Sequence, residues 1–293
     1  MNIPVYIRRR FGLVATVIAC AVSAPVLASE SVHLDKFPTE KMQSMPALQD
    51  GARTFVNYCL NCHSASMMRF NRLQDIGLTD EQISGSLQFT EGRVGDLMKV
   101  AMRHEDGKAW FGAAPPDLSV EARARASESG SGADWIYTYL RSYYRDGSRE
   151  TGWNNAIFPN VGMPNPLWQW QGMRGAVEER VAPVTDEATG KVTGWTKTTI
   201  TYDREGNKSE KVEKVDGDGL HEGTHFTLGT PEGGTLSQAE FDDKVANLVA
   251  FMKFMSDPSA PTRGRLGIWV LLFIALFVGC TWWLNREYWK DIK

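Results

Sequence analysis

Cysteine is scarce in this chain of 293 residues: there are four, and two of them, Cys20 and Cys280, lie inside strongly apolar stretches near the two ends. So few thiols cannot staple a chain of this length, which excludes a disulfide scaffold. An excess of basic charge is also missing. With 32 Lys and Arg against 35 Asp and Glu, the formal net charge is −3, so composition lends nucleic-acid binding no support and any partner must be met by local patches. Disorder and collagen-like repetition are excluded by 42% hydrophobic and 23% charged residues with only 13 prolines. What is present is enough apolar sequence for one large domain or two small ones.

The two apolar ends set the compartment. Arg8-Arg9-Arg10, the apolar run Phe11 to Val22 and the small-residue boundary Val26-Leu27-Ala28 follow the order of a secretory signal. Residues 1–28 are therefore expected to be a cleaved signal peptide, with the mature chain starting at Ser29. Near the other end, Leu266 to Leu284 carries no charge, and about 19 residues at ~1.5 Å each span the ~30 Å hydrocarbon core. Residues 266–284 are expected to form a transmembrane helix, bordered by Trp269 on one side and by Trp282, Trp283, Tyr288 and Trp289 on the other. The export signal orients it: the body 29–262 is expected outside the cytoplasmic membrane, on the periplasmic side of a bacterial inner membrane, and the tail 285–293 inside.

Along the body, the apolar spacing of Leu48, Ala52, Phe55 and Val56 predicts a helix over Met45 to Cys59. Further helices are expected at Asp80 to Leu87 and Arg93 to Arg103, with the glycine-containing tract Gly107 to Gly112 breaking the pattern. Ala114-Pro115-Pro116-Asp117-Leu118-Ser119 must be extended before its prolines, leaving Asp117 or Ser119 to cap the next helix. Asp134 to Arg145 reads as an amphipathic helix with an aromatic face, and Gln238 to Met255 as a strong one, stopped by the stiff linker Asp257 to Pro261. Between them, residues 175–234 turn polar. Thr198 to Tyr202 and Ser209 to Val215 alternate around Glu205-Gly206-Asn207, which predicts a β-hairpin in a surface insertion.

The chemistry rests on Cys59-Leu60-Asn61-Cys62-His63, the attachment pattern of a c-type haem. Two thiols one helical turn apart can add to the vinyl groups of one porphyrin edge, and the next residue offers its imidazole to the iron. A zinc site would need further ligands at metal spacing, and His33, His104, His221 and His225 do not supply them. A thiol-disulfide oxidoreductase would need a strand before the motif and a βαβ frame after it, and neither is present. Electron transfer requires a second axial ligand. Met67 and Met68 lie too close to the attachment loop, and Met98, Met102, Met252 and Met255 fall in helical stripes. Met163 sits in the constrained loop Gly162-Met163-Pro164-Asn165-Pro166, where a thioether would complete His/Met ligation; His104 and His221 stand as alternatives.

These residues resemble the cytochrome c1 family, the haem subunit of the quinol:cytochrome c oxidoreductase (cytochrome bc1) complex, and especially its proteobacterial members. The likeness extends over most of the mature chain. It rests on the CxxCH motif, Gly112-Ala113-Ala114-Pro115-Pro116-Asp117-Leu118-Ser119, Asp134-Trp135-Ile136-Tyr137-Thr138-Tyr139-Leu140, Phe158-Pro159-Asn160-Val161-Gly162-Met163-Pro164, and the ending Glu287-Tyr288-Trp289-Lys290. The resemblance implies one covalent haem c on Cys59 and Cys62, with His63 and Met163 as the iron ligands. It also implies a mainly α cytochrome c-type fold in which the helix before Cys59 packs on Gln238 to Met255. Implied partners are cytochrome b, a Rieske iron-sulfur protein as electron donor and cytochrome c as acceptor, in a dimeric complex. On this reading the chain is no enzyme on its own but a redox subunit. A tethered monohaem cytochrome serving another oxidase or dehydrogenase is the alternative. Family members keep an arginine at the haem propionates, just upstream of the Pro-Pro-Asp-Leu-Ser block; here Lys108, Arg103 and Arg123 are the candidates. An apolar sheath from Trp135, Tyr139, Ile157 and Leu167 is expected around the haem.

Overall fold

The computed structural model describes residues 33–89, 92–185, 192–215 and 220–291; the expected signal peptide 1–28 and the last two residues of the tail lie outside them. Helix α1, Met45–Thr54, starts where the Ser44 side chain accepts a hydrogen bond from the Ala47 amide and Pro46 occupies the first turn, where its missing N–H costs nothing. It buries Ala47, Leu48, Gly51, Ala52 and Thr54. The chain then widens into a π-helical turn over Phe55–Cys59 that buries Phe55, Val56 and Cys59, so the expected helix reaches the first cysteine with its last turn expanded. Such turns recur at functional sites.

After the cysteine motif, strand β1, Ala65–Arg69, pairs antiparallel with the short β2, Leu97–Met98. Helix α2, Asp80–Ser86, lies between them and opens with a capping box from Thr79 and Gln82. The helix expected over Arg93 to Arg103 does not form. Its backbone is taken by long-range partners: the amides of Phe70 and Asn71 donate to Asp96 O and Val94 O at 3.1 and 2.7 Å, and Val100 N donates to Ser64 Oγ at 3.0 Å. The next helix is α3, His104–Phe111, which runs through Gly107 and ends at Gly112. One glycine costs a helix about 1 kcal/mol, too little to break this one, and Gly112 closes it at φ +76°.

The Pro-Pro-Asp-Leu-Ser block is neither helix nor strand, and its polar side chains do not cap the short α4, Glu121–Ala124, whose N-terminus has no side-chain cap. Asp117 accepts instead from the amides of Ser66 and Ser119, both at 2.8 Å, and Ser119 Oγ accepts from Met67 N at 3.0 Å. The block is thereby pinned alongside the chain that leaves the cysteine motif. Helix α5, Gly132–Leu140, starts at a capping box from Ser131 and Asp134. It ends five residues short of the expected boundary, because Tyr143–Arg145 forms β3, paired antiparallel with β4, Trp153–Asn155. Successive side chains of a strand face opposite ways, so Tyr143 joins the main core while Tyr144 joins a second, smaller one.

Helix α6, Trp168–Gln171, is a single turn. The polar stretch that follows holds more strand than a hairpin. β5, Ala176–Thr185, β6, Val192–Tyr202, β7, Lys208–Val215, and β8, Gly223–Leu228, form an antiparallel sheet in the order β7-β6-β5-β8. The expected hairpin is its β6–β7 pair, but the mainly α description is too narrow: a four-stranded sheet stands beside the helices. The sheet is also tied to the β3–β4 pair. Ala176, Ile200 and Tyr202 pack with Tyr144 as the second core, the Tyr144 and Tyr202 rings lying 5.0 Å apart.

Helix α7, Gln238–Ser256, again opens with a capping box, from Ser237 and Glu240, and buries Phe241, Val245, Leu248, Val249, Met252 and Met255. It crosses α1 in close contact. A Cβ on Gly51 would stand 2.0 Å from Asn247 O, so only glycine allows the approach. Lys244 Nζ and Asn247 Nδ2 reach the Asp50 carboxylate at 2.7 and 2.9 Å, and the Phe55 and Phe251 rings meet at 5.5 Å. Helix α8, Ala260–Tyr288, follows after a single turn, with Arg263 on Asp257 at 2.6 Å. The stretch Thr262–Tyr288 is long and apolar enough to cross a membrane and none of it is buried.

Candidate functional site

The π turn, the proline block, α5 and the loop after β4 converge on one apolar cavity of about 340 Å³. Cys59, Cys62, His63 and Met163 all line it. The motif is a tight turn in which the amides of Cys62 and His63 both donate to Cys59 O, at 3.1 and 2.9 Å; this presents both thiols and the imidazole to the same space. Cys59 is buried and Cys62 half-buried, and both are free thiols. Burial, helped by the neighbouring Cys62, pushes the Cys59 thiol up to about 12, and burial raises Cys62 as well.

His63 is oriented by the proline block. Its Nδ1 lies 2.8 Å from Pro116 O, and a carbonyl can only accept, so Nδ1 carries the proton and donates. Nε2 is then the free lone pair, the arrangement that metal-bound histidines adopt. Burial lowers the imidazole's pKa, although the Pro116 bond and the charges of Glu121 and Asp117 pull the other way, so the ring is neutral at neutral pH. The donor set of two thiols, a neutral Nε2 and a thioether in an apolar cavity fits a covalently held haem.

Two thioethers, not one, reach the cavity: Met163 from the loop and Met252 from α7. They differ in surroundings. Met252 belongs to the buried face of a helix, whereas the Met163 sulfur has a hydrogen-bond donor, the Tyr139 hydroxyl at 3.5 Å. Tyr139 also lies 2.7 Å from the Tyr143 hydroxyl, which donates to Met163 O at 3.3 Å. Behind the loop, Asn165 Nδ2 donates to Gln171 Oε1 at 2.9 Å, and Gln171 Nε2 to Tyr143 O at 3.1 Å. Arg174 Nε donates to the same carbonyl at 2.7 Å. Burial holds both phenols above their ordinary pKa, so they remain protonated donors. His104 and His221 do not line the cavity.

Of the expected sheath, Trp135 and Tyr139 line the cavity, while Ile157 and Leu167 belong to the surrounding core without reaching it. None of Lys108, Arg103 and Arg123 lines it. The cation there is Arg125, which pairs with Glu121 at 2.8 Å and lies over the Trp135 ring at 4.6 Å. Arg125 lies just two residues beyond the candidate Arg123, on the same side of the proline block, and was not among the residues expected from sequence. The i,i+4 spacing of Glu121, which opens α4, and Arg125, which caps its end, was the available signal. Sequence reasoning also read Tyr139 as plain apolar lining, although Tyr139 and Tyr143 share that spacing.

Residues 37–174 match the Cytochrome C1 family, a stretch that contains Cys59, Cys62, His63 and Met163. The chain is 34% identical over 281 residues to cytochrome c1 of Allochromatium vinosum, covering 96% of this chain and 98% of that one. It is 40% identical over 272 residues to a Nitrosomonas europaea protein named ammonia monooxygenase gamma subunit, covering 92% and 94%. Cytochrome c1 of Rhodospirillum rubrum is 23% identical over 309 residues, with 96% and 97% covered. The family match, together with a cytochrome c1 relative aligned almost end to end, establishes that the chain belongs to the cytochrome c1 family, whose members are electron-transfer subunits carrying one covalent haem c.

Proposed function

We propose that this chain is the membrane-anchored electron carrier of a quinol:cytochrome c oxidoreductase, taking electrons from a Rieske iron-sulfur protein and passing them to cytochrome c, with cytochrome b as a further subunit of a dimeric complex. Cys59 and Cys62 form the thioether bonds, His63 Nε2 and the Met163 sulfur hold the iron, and Arg125 is the cation available to a propionate. Bound there, the haem supplies one-electron chemistry between ferric and ferrous iron. The chain's own work is to hold the ligands, exclude water and set the potential; it is not an enzyme by itself. The observation that carries this reading is the Nδ1 proton of His63 committed to Pro116 O at 2.8 Å, in a cavity also lined by both cysteines and Met163. The reading includes a cleaved signal peptide 1–28, a periplasmic haem domain 29–262 with its insertion 175–234, a transmembrane helix 266–284 and a cytoplasmic tail 285–293.

The test is a reduced-minus-oxidised spectrum of the complex purified in mild detergent from native membranes through a tag after Lys293. Separate b-type and c-type bands are expected; a c-type band alone overturns the complex assignment. The relative named for an ammonia monooxygenase favours a second reading, a carrier of the same build serving a different oxidoreductase. The proteins that co-purify decide between the two.

A further inference from the structure

We propose that Tyr139 is a positioning residue that tunes the haem potential by donating its hydroxyl proton to the sulfur of Met163. The inference rests on the assignment of Met163 as iron ligand and goes beyond it. The Tyr139 hydroxyl stands 3.5 Å from the Met163 sulfur and 2.7 Å from the Tyr143 hydroxyl. Tyr143 commits its own single proton to Met163 O at 3.3 Å, so toward Tyr139 it can only accept. The Tyr139 proton is thus shared between two acceptors, a phenol oxygen and a thioether.

A thioether sulfur has two lone pairs. Coordination engages one of them and leaves the other for the Tyr139 hydroxyl. A proton placed there draws electron density from the sulfur and puts the positive end of a dipole beside the iron, which disfavours the extra positive charge of the ferric state. In this buried pair the effect is little screened. Tyr139 therefore pushes the equilibrium toward ferrous iron, and Tyr143 moderates it by competing for the same proton.

Two substitutions in the full-length protein separate this tuning from packing. Tyr139→Phe removes one oxygen and keeps the ring, which stacks on Trp135 with centroids 4.9 Å apart and planes 12° apart; Tyr143 keeps its own acceptor at Met163 O. The iron–sulfur charge-transfer band of the ferric protein is expected to persist in this variant. Its redox equilibrium is expected to shift about fivefold toward ferric, the scale of one lost hydrogen bond, or roughly 40 mV at about 59 mV per decade for one electron. Tyr143→Phe removes the competing acceptor, so its potential is expected to hold or rise. An unchanged midpoint in Tyr139→Phe, or a similar fall in both variants, overturns the proposal. If the native ferric protein lacks the iron–sulfur band, the assignment of Met163 fails first and this proposal falls with it. That outcome is visible before any substitution is made.

Discussion

His63 and Met163 sit in the cavity under different constraints. The imidazole is held by a backbone carbonyl, Pro116 O, that no side-chain change removes. The thioether is held only by its loop, with one phenol, Tyr139, on the sulfur and another, Tyr143, on the Met163 carbonyl. Met163, the proposed second ligand, is accordingly the one that mutagenesis can probe without dismantling the fold. Met163→Leu keeps the volume nearly constant and removes the sulfur: the midpoint is expected to fall, the iron–sulfur band to vanish and carbon monoxide to bind the reduced protein. Met252→Leu makes the same chemical change at the other thioether lining the cavity and is expected to leave the band in place. Loss of the band from Met252→Leu, with Met163→Leu spectrally silent, would exchange the two roles.

At the scale of elements, the crossing of α1 and α7 decides where the cysteine motif is delivered. Gly51→Ala puts a methyl where Asn247 O stands 2.0 Å away, so the helices must separate; overpacking of this kind costs about 1–3 kcal/mol. Gly112→Ala meets open space but a φ of +76°, so its cost is expected near 1 kcal/mol. Guanidinium unfolding monitored by circular dichroism should rank them in that order. The entry to α5 brings a pH dependence. Burial raises the pKa of the Asp134 carboxyl, but hydrogen bonds from the amides of Phe37 and Ser131, with the Ser131 and Lys36 side chains, outweigh it and hold the group below its ordinary value. A lowered folded pKa means that this stabilisation is complete above the unfolded value of about 3.9 and is lost as pH falls through the lower folded value. Asp134→Asn should lower stability at neutral pH by about 1–2 kcal/mol and flatten the acid side of the stability curve. Parallel curves for the two proteins below pH 4 would show that Asp134 carries none of this dependence.

On the scale of the whole molecule, a polar body with its own core is joined by one short turn to a helix with no buried face. The core is completed by α7, so a chain ending at Ser259 should lose the membrane and keep the site. It is expected in the aqueous fraction after cell breakage, with the absorption spectrum and midpoint of the full-length protein. A truncated chain that stays with the membrane would mean that another surface anchors it. What the sequence by itself determined are the features written in consecutive residues: the CxxCH motif, the capped and strongly periodic α7, and the uncharged run within α8. Covalent spacing, capping and 3.6-residue periodicity are local and need no partner to be read. Tertiary structure alone decided the rest. It turned the tract around Leu97 and Met98 from helix to strand because β1 supplied a pairing partner, and ended α5 at Leu140 because Tyr143–Arg145 pairs with β4. It drew β5 and β8 into the sheet, and it brought Arg125 to the cavity and the Tyr139 hydroxyl to the Met163 sulfur. Each of these depends on atoms distant in sequence satisfying one another's hydrogen bonds or charge, and backbone pairing of that kind overrides the weak helix propensity of a short segment.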